Sequence, residues 1–241
     1  MPPPDLAGTT VFITGASRGL GAALARDFAH AGARLVLCAR SEPPLAALSA
    51  DLQEDGAHVE WAAVDVTDER AVGALVLRAE ERFGGVDVLI NNASILGSRV
   101  PLREQPLEEW RAVMEVNLTG TLVATRAVLP GMRGRRSGSI INVSSGVGNQ
   151  HRAEWGPYAV SKWAVEGLSG NLALEEGDAG IRVNVVDPGA LQTEMRRAAY
   201  PDENPSAPTP PEEITGVFLW LASDDARGVT GERFHAQRWN R

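Results

Sequence analysis

Seven short apolar runs, several rich in β-branched residues, alternate along this chain with longer amphipathic stretches. The runs are TVFIT (10–14), ARLVLCA (33–39), HVEWAAV (58–64), VDVLI (86–90), GSIINV (138–143), IRVNVV (181–186) and a short one near Glu232. Helical periodicity fills the gaps over 20–31, 44–54, 69–83, 107–133, 158–176 and 212–222. A strand, helix and strand in succession bury their apolar faces together when the helix folds back over a parallel sheet. The expected fold is therefore α/β, a doubly wound, mostly parallel seven-stranded sheet with helices on both faces. Gly32, Gly56 and Gly84 stand where helices should end. The 241 residues suit one domain, 1–241. Within it, residues 1–8 are expected to be a flexible N-terminus. The proline-dense AAYPDENPSAPTPPEE leaves little room for regular structure, so 196–212 is expected to be a mobile loop over a site.

The first run leads directly into TGASRGLG, with glycines at 15, 19 and 21, and then into a helix. Glycines here permit a tight turn and let backbone approach a pyrophosphate, whose charge the helix N-terminus favours. Gly15, Ser17, Arg18, Gly19, Leu20 and Gly21 are thus candidate dinucleotide contacts in a Rossmann-type fold; a turn serving only strand–helix packing is the alternative. Sites that prefer NAD commonly place a carboxylate at the end of the second strand. This chain places Arg40 there, and Arg18 within reach of the same region, which favours a 2′-phosphate and so NADP(H) over NAD(H).

The formal net charge is −8, which opposes a nucleic-acid or anionic-membrane surface despite Arg133, Arg135 and Arg136. Cys38 is the single cysteine, so no intramolecular disulfide is possible, and its apolar context implies a buried thiol. No apolar run reaches the length of a membrane span, and a cytoplasmic setting is expected. His30, His58 and His235 fall at element ends with no metal-site spacing.

One lysine, Lys162, stands among 22 arginines, four residues after Tyr158 and therefore on the same helical face. With the glycine turn, the NNAS of 91–94, the EVNLTG around Asn117, the NVSSGVG around Ser145 and the DPGALQT of 187–193, this pair makes the chain resemble the short-chain dehydrogenases/reductases along nearly its whole length. The resemblance implies a catalytic set of Asn117, Ser145, Tyr158 and Lys162. It also implies cofactor contacts at Asp65 and Val66 (adenine), Asn91 and Ala93 (adenosine side), and Pro188, Gly189 and Thr193 (nicotinamide end). Asp65 as a helix cap is the plain alternative.

The chemistry so implied interconverts a carbonyl and a secondary alcohol, as in a ketone or 3-oxoacyl-type reductase. Tyr158 would be the general acid/base, its phenol made more acidic by the Lys162 cation, and Ser145 would hold the substrate oxygen. Ser144 should point to the other side of the strand. Asn117, poor material for a helix interior, is expected to be satisfied by a relay towards Lys162. His151 and Trp155, in the loop before Tyr158, are candidate substrate contacts. A homodimer or homotetramer through 107–133 and 158–176 is a family-based expectation. The rival functions are a silent cofactor-binding regulator and a sugar-nucleotide epimerase or dehydratase. Two departures from the family pattern stand out: Ser94 where NNAG is usual, and the C-terminal VTGERFHAQRWNR where Asp-Gly-Gly is common.

Overall fold

A computed structural model of the chain describes residues 4–239. Its single sheet contains β1 (Thr10–Thr14), β2 (Arg34–Ala39), β3 (Val59–Ala63), β4 (Val88–Asn91), β5 (Gly138–Val143), β6 (Ile181–Asp187) and β7 (Arg233–His235) in the order 3-2-1-4-5-6-7. Every pairing between neighbours is parallel. The order reverses between β1 and β4, so the chain leaves those two strands in opposite directions and opens a crevice at their C-terminal ends.

The pleat of β1 shows how the sheet feeds two cores. Val11 and Ile13 join one cluster with Leu24, Phe28, Leu45 and Phe218, while Phe12 joins another with Leu75, Val128 and Met132. The first cluster involves α1 (Gly19–His30), α2 (Glu42–Glu54) and α8 (Gly216–Ala222). The second involves α3 (Glu69–Phe83), α5 (Gly120–Arg135) and α6 (Gly156–Glu176). With both faces covered, strands read as nearly continuous apolar runs, as observed.

Three expectations change. The N-terminal stretch is folded from the first described residues: Leu6 is buried and its N–H donates to the Ala31 carbonyl at 2.8 Å. Residues 1–3 lie outside the described range. The expected loop 196–212 begins inside α7 (Glu194–Ala199) and ends in a 3₁₀ turn at Pro211–Ile214. The segment between them is tied back to what precedes it: the Gln192 N–H donates to the Thr209 carbonyl at 2.9 Å and Arg196 grips Glu203 with two bonds of 2.7 and 2.6 Å. Prolines break the periodicity there without preventing this self-bracing.

The expected helix 107–133 is α4 (Leu107–Met114) and α5 joined by a π turn at Glu115–Thr119, with Asn117 at its centre. Such turns insert a residue into the helical ladder. Here the inserted turn carries a side chain that is 1% exposed and fully engaged. Asn117 Oδ1 accepts from the Ile95 N–H at 2.8 Å, and its Nδ2 donates to the Ile95 carbonyl and to Ser161 Oγ, both at 3.0 Å. These bonds offset the cost of burying the amide.

Candidate active site

The crevice is built by interlocking the two chain segments that leave β1 and β4. Thr14 Oγ1 accepts from the N–H groups of Asn92 and Ala93 at 3.0 Å. The Asn92 amide donates back to the carbonyls of Thr14 and Gly15 at 2.9 and 3.1 Å. A Cβ on Gly15 would stand 2.8 Å from Ala93 Cα, so glycine is required for this approach. A Cβ on Gly21 would collide with the Gly15 carbonyl and the Asn92 amide. Both glycines therefore have a packing role, while Gly19 faces Thr193 across the crevice, where a Cβ would meet the threonine methyl at 3.2 Å.

The residues present fit a dinucleotide. Arg18, at the N-cap of α1, makes no side-chain capping bond, so the first-turn N–H groups, among them those of Leu20 and Gly21, have no side-chain partner and suit a pyrophosphate. Ser94 Oγ is buried without a partner, an atom that a bound polar ligand would satisfy. Ser17, two residues into the turn, is half-buried, between buried Ala16 and exposed Arg18.

Other sequence candidates take more specific places. Arg40 is exposed just beyond β2. Arg18 does not stand free beside it; its guanidinium pairs with Glu194 at the start of α7, a contact that a phosphate must displace. Asp65 is not the cap of α3, which Asp68 supplies by accepting from Arg70 N and Ala71 N. Asp65 Oδ1 instead accepts from the Thr67 N–H and hydroxyl at 3.0 and 2.8 Å. Val66 is buried against Gly120. The Asn91 side chain turns inward to Thr125 and Asn142, at 3.1 and 2.8 Å, which leaves its main chain for the crevice. Beyond β6, Gly189 has φ 73°, Pro188 precedes it and Thr193 caps α7 by accepting from Arg196 N at 3.2 Å.

On α6, Tyr158 and Lys162 share one buried face, 8% and 3% exposed. The Ser145 side chain lies close enough to the Tyr158 hydroxyl to act against the effect of burial on its pKa. Lys162 Nζ donates to the Val143 carbonyl at 2.9 Å and lies 5.6 Å from the centre of the Tyr158 ring. Ser144 donates to Glu166 Oε1 at 2.5 Å. Asn117 reaches Ser161, next to Lys162 in sequence, rather than the lysine itself.

The electrostatics reverse the sign expected for the phenol. Burial pushes the Tyr158 hydroxyl up to about 12; the Ser145 side chain works against this, and the Asp187 carboxylate adds to it. Desolvation is the largest influence on the phenol. Burial likewise brings Lys162 down to about 8, with the Glu166 carboxylate opposing. At neutral pH the pair is thus a neutral phenol and a mostly charged amine, the state ready to give a proton. The same burial holds the Cys38 thiol up at about 12, protonated and unreactive.

The two loop candidates separate. Trp155 lies against Tyr158, ring centres 5.7 Å apart, in a cluster with Val147, Ala199, Met195 and Tyr200. His151 instead stacks on Trp163 at 5.0 Å, away from that cluster. Arg99, which the sequence did not single out, packs its guanidinium against both Trp155 and Tyr200, 4.9 and 4.6 Å from their ring centres. The atypical C-terminus also contributes: Gln237 donates to the Ala190 carbonyl at 2.8 Å and covers Gly189. Among the described residues there is no cluster able to hold a metal ion, and no helix is long and apolar enough to cross a membrane.

Residues 9–204 match the family model described as short chain dehydrogenase. The chain is 37% identical over 231 residues to an uncharacterized oxidoreductase of Escherichia coli, YciK, covering 94% of this chain and 91% of that one. It is 37% identical over 239 residues to the 3-oxoacyl-[acyl-carrier-protein] reductase FabG of Vibrio cholerae, covering 96% of each. Among solved structures, a short chain dehydrogenase of Shigella flexneri complexed with NADP superimposes with a TM-score of 0.92 at 36% identity, covering 97% of this chain and 99% of that one. These matches cover nearly the whole chain and its fold: the chain belongs to the short-chain dehydrogenase family.

Proposed function

We propose that this chain is an NADP(H)-dependent oxidoreductase that reduces a ketone to a secondary alcohol, with Tyr158 as proton donor. The observation that carries this is the buried, protonated Tyr158 hydroxyl beside Ser145 and one helical turn from the buried Lys162 amine. The dinucleotide, when bound, supplies the hydride. Ser145 offers its hydroxyl to the carbonyl oxygen and holds it near the phenol. Tyr158 gives its proton to that oxygen as negative charge develops there. Lys162 balances the phenolate left behind, and of its three donors only one is committed, to Val143, so two remain for ribose hydroxyls. The apolar wall of Val147, Trp155 and Tyr200 excludes water from the reacting atoms and suits a substrate with an apolar body.

NADP(H) is favoured over NAD(H) by Arg40 at the end of β2. A charge-assisted bond to a phosphate is worth about 1.5–3 kcal/mol. Arg40→Asp should therefore raise the KM for NADPH by about tenfold or more and leave that for NADH nearly unchanged. An unchanged ratio of the two would contradict the assignment. Self-association is supported by Val160, Trp163 and Leu174, apolar and exposed on α6. The activity is tested by following NADPH oxidation with ketones of graded bulk, including 3-oxoacyl thioesters. Turnover with at least one class is expected, whereas tight NADPH binding with no turnover across the panel would favour a regulatory protein.

A further inference from the structure

The catalytic constellation rests on a buried ionic cluster assembled from four separate segments. Arg233, in the last strand, has a side chain only 18% exposed. Its Nε donates to Glu166 Oε1 at 2.9 Å, and its Nη2 donates both to Asp187 Oδ2 and to the Ser145 carbonyl, each at 3.1 Å. Its Nη1 lies 2.8 Å from His235 Nε2. The two carboxylates pass the contact on. Glu166, one turn beyond Lys162, also accepts from Ser144, and Asp187 Oδ1 accepts from the Gly189 N–H at 3.0 Å.

One guanidinium thus ties together the end of β5, the end of β6 and the middle of α6. Two carboxylates this buried cannot stand unpaired without a large desolvation cost. Glu166, Asp187, Arg233 and Lys162 carry charges that sum to zero. Deleting Arg233 would leave two anions facing Lys162 alone.

We propose that Arg233 is a positioning residue for the proton-transfer pair: it fixes the backbone that carries Ser145 and neutralises the anions that Tyr158 and Lys162 face. The inference rests on the proposed reaction for its kinetic consequence but not for its electrostatic one. The titratable and charged groups around the pair are Glu166 on their own helix, Asp187 from β6, and Arg233 and His235 from β7; Ser144, Ser145, Asn117 and Ser161 are neutral. Asp187 and Glu166 each favour the protonated form of the neighbouring group. Removing the guanidinium must therefore strengthen both effects.

The single lysine makes this measurable in the full-length protein, because 13Cε-lysine labelling yields one side-chain resonance. Arg233→Met is expected to move the Lys162 titration midpoint upward. It should also lower kcat for carbonyl reduction by about tenfold to a hundredfold, the scale of a reacting group misplaced by an ångström. Arg233→Lys keeps the charge but not the three-way grip, so its midpoint should stay near the wild-type value while kcat recovers only in part. Glu166→Gln, which tests the electrostatics even if Arg233→Met fails to fold, should move the midpoint downward. An unmoved resonance in a folded Arg233→Met or Glu166→Gln protein overturns the proposal, whether or not kcat falls, since packing alone would explain a bare loss of rate. A failed functional reading would look different: wild-type protein with no turnover, yet with these shifts intact.

Discussion

Tyr158→Phe is expected to lower kcat for carbonyl reduction by about 10²- to 10⁴-fold, the range a positioned general acid contributes. NADPH affinity should change little, because the substitution removes one hydroxyl and keeps the buried ring. That ring packs on Trp155, so the fold should persist. A second consequence separates loss of chemistry from loss of structure. The phenol is held up at about 12 in the folded protein, against an ordinary value of 10.0. A group raised on folding contributes stability that is complete below its unfolded value and lost as pH climbs through the folded one. Between about pH 10 and 12 the wild type should lose stability that Tyr158→Phe retains. A variant with near-normal kcat would place the proton donor elsewhere.

Lys162→Met should have the opposite signature, a more stable protein with little activity. Lys162 falls from an ordinary value of 10.5 to about 8 on burial. That difference represents about 3 kcal/mol by which the folded state disfavours the charged amine. Methionine of similar length removes the charge; the Val143 carbonyl loses a donor, at a cost of about 1 kcal/mol. The net gain at pH 7 is about 2 kcal/mol, visible as a rise in Tm of several degrees. Its pH dependence is fixed in sign. A lysine depressed on folding penalises the folded state below about pH 8, and the penalty fades as pH rises towards 10.5, where the unfolded chain also releases its proton. The stability advantage of Lys162→Met should shrink over that window. Activity should fall by about 10²-fold or more, because no cation then balances the phenolate. A destabilised variant at pH 7, or one that keeps its rate, would contradict this.

How far the sequence discloses this molecule depends on the range of the interaction involved. Strand and helix order is legible because the periods of 2 and 3.6 are local properties, and β1, β5 and α3 match the sequence boundaries. The glycine turn and the Tyr158 and Lys162 spacing are legible for the same reason. What is hidden depends on distant partners. The π turn at Asn117 exists to meet Ile95 and Ser161, 22 and 44 residues away. Arg233 carries no local signal, since its partners are 88, 67 and 46 residues earlier. Arg18 appears free in sequence and is paired to Glu194 in space. The sign of the Tyr158 shift is the sharpest instance. Spacing reveals the cation beside the phenol but not the depth of burial, and burial decides which way the phenol moves.

The central claim is that a buried amine and a buried, protonated phenol form one proton-transferring unit on α6. Lysine-specific 13Cε labelling tests it most directly, because Lys162 is the only lysine in the chain and gives a single titrating resonance. A midpoint of about 8 in the cofactor-free protein is the predicted result. A midpoint near 10.5, the value of an amine in water, would place Lys162 in solvent and contradict the account.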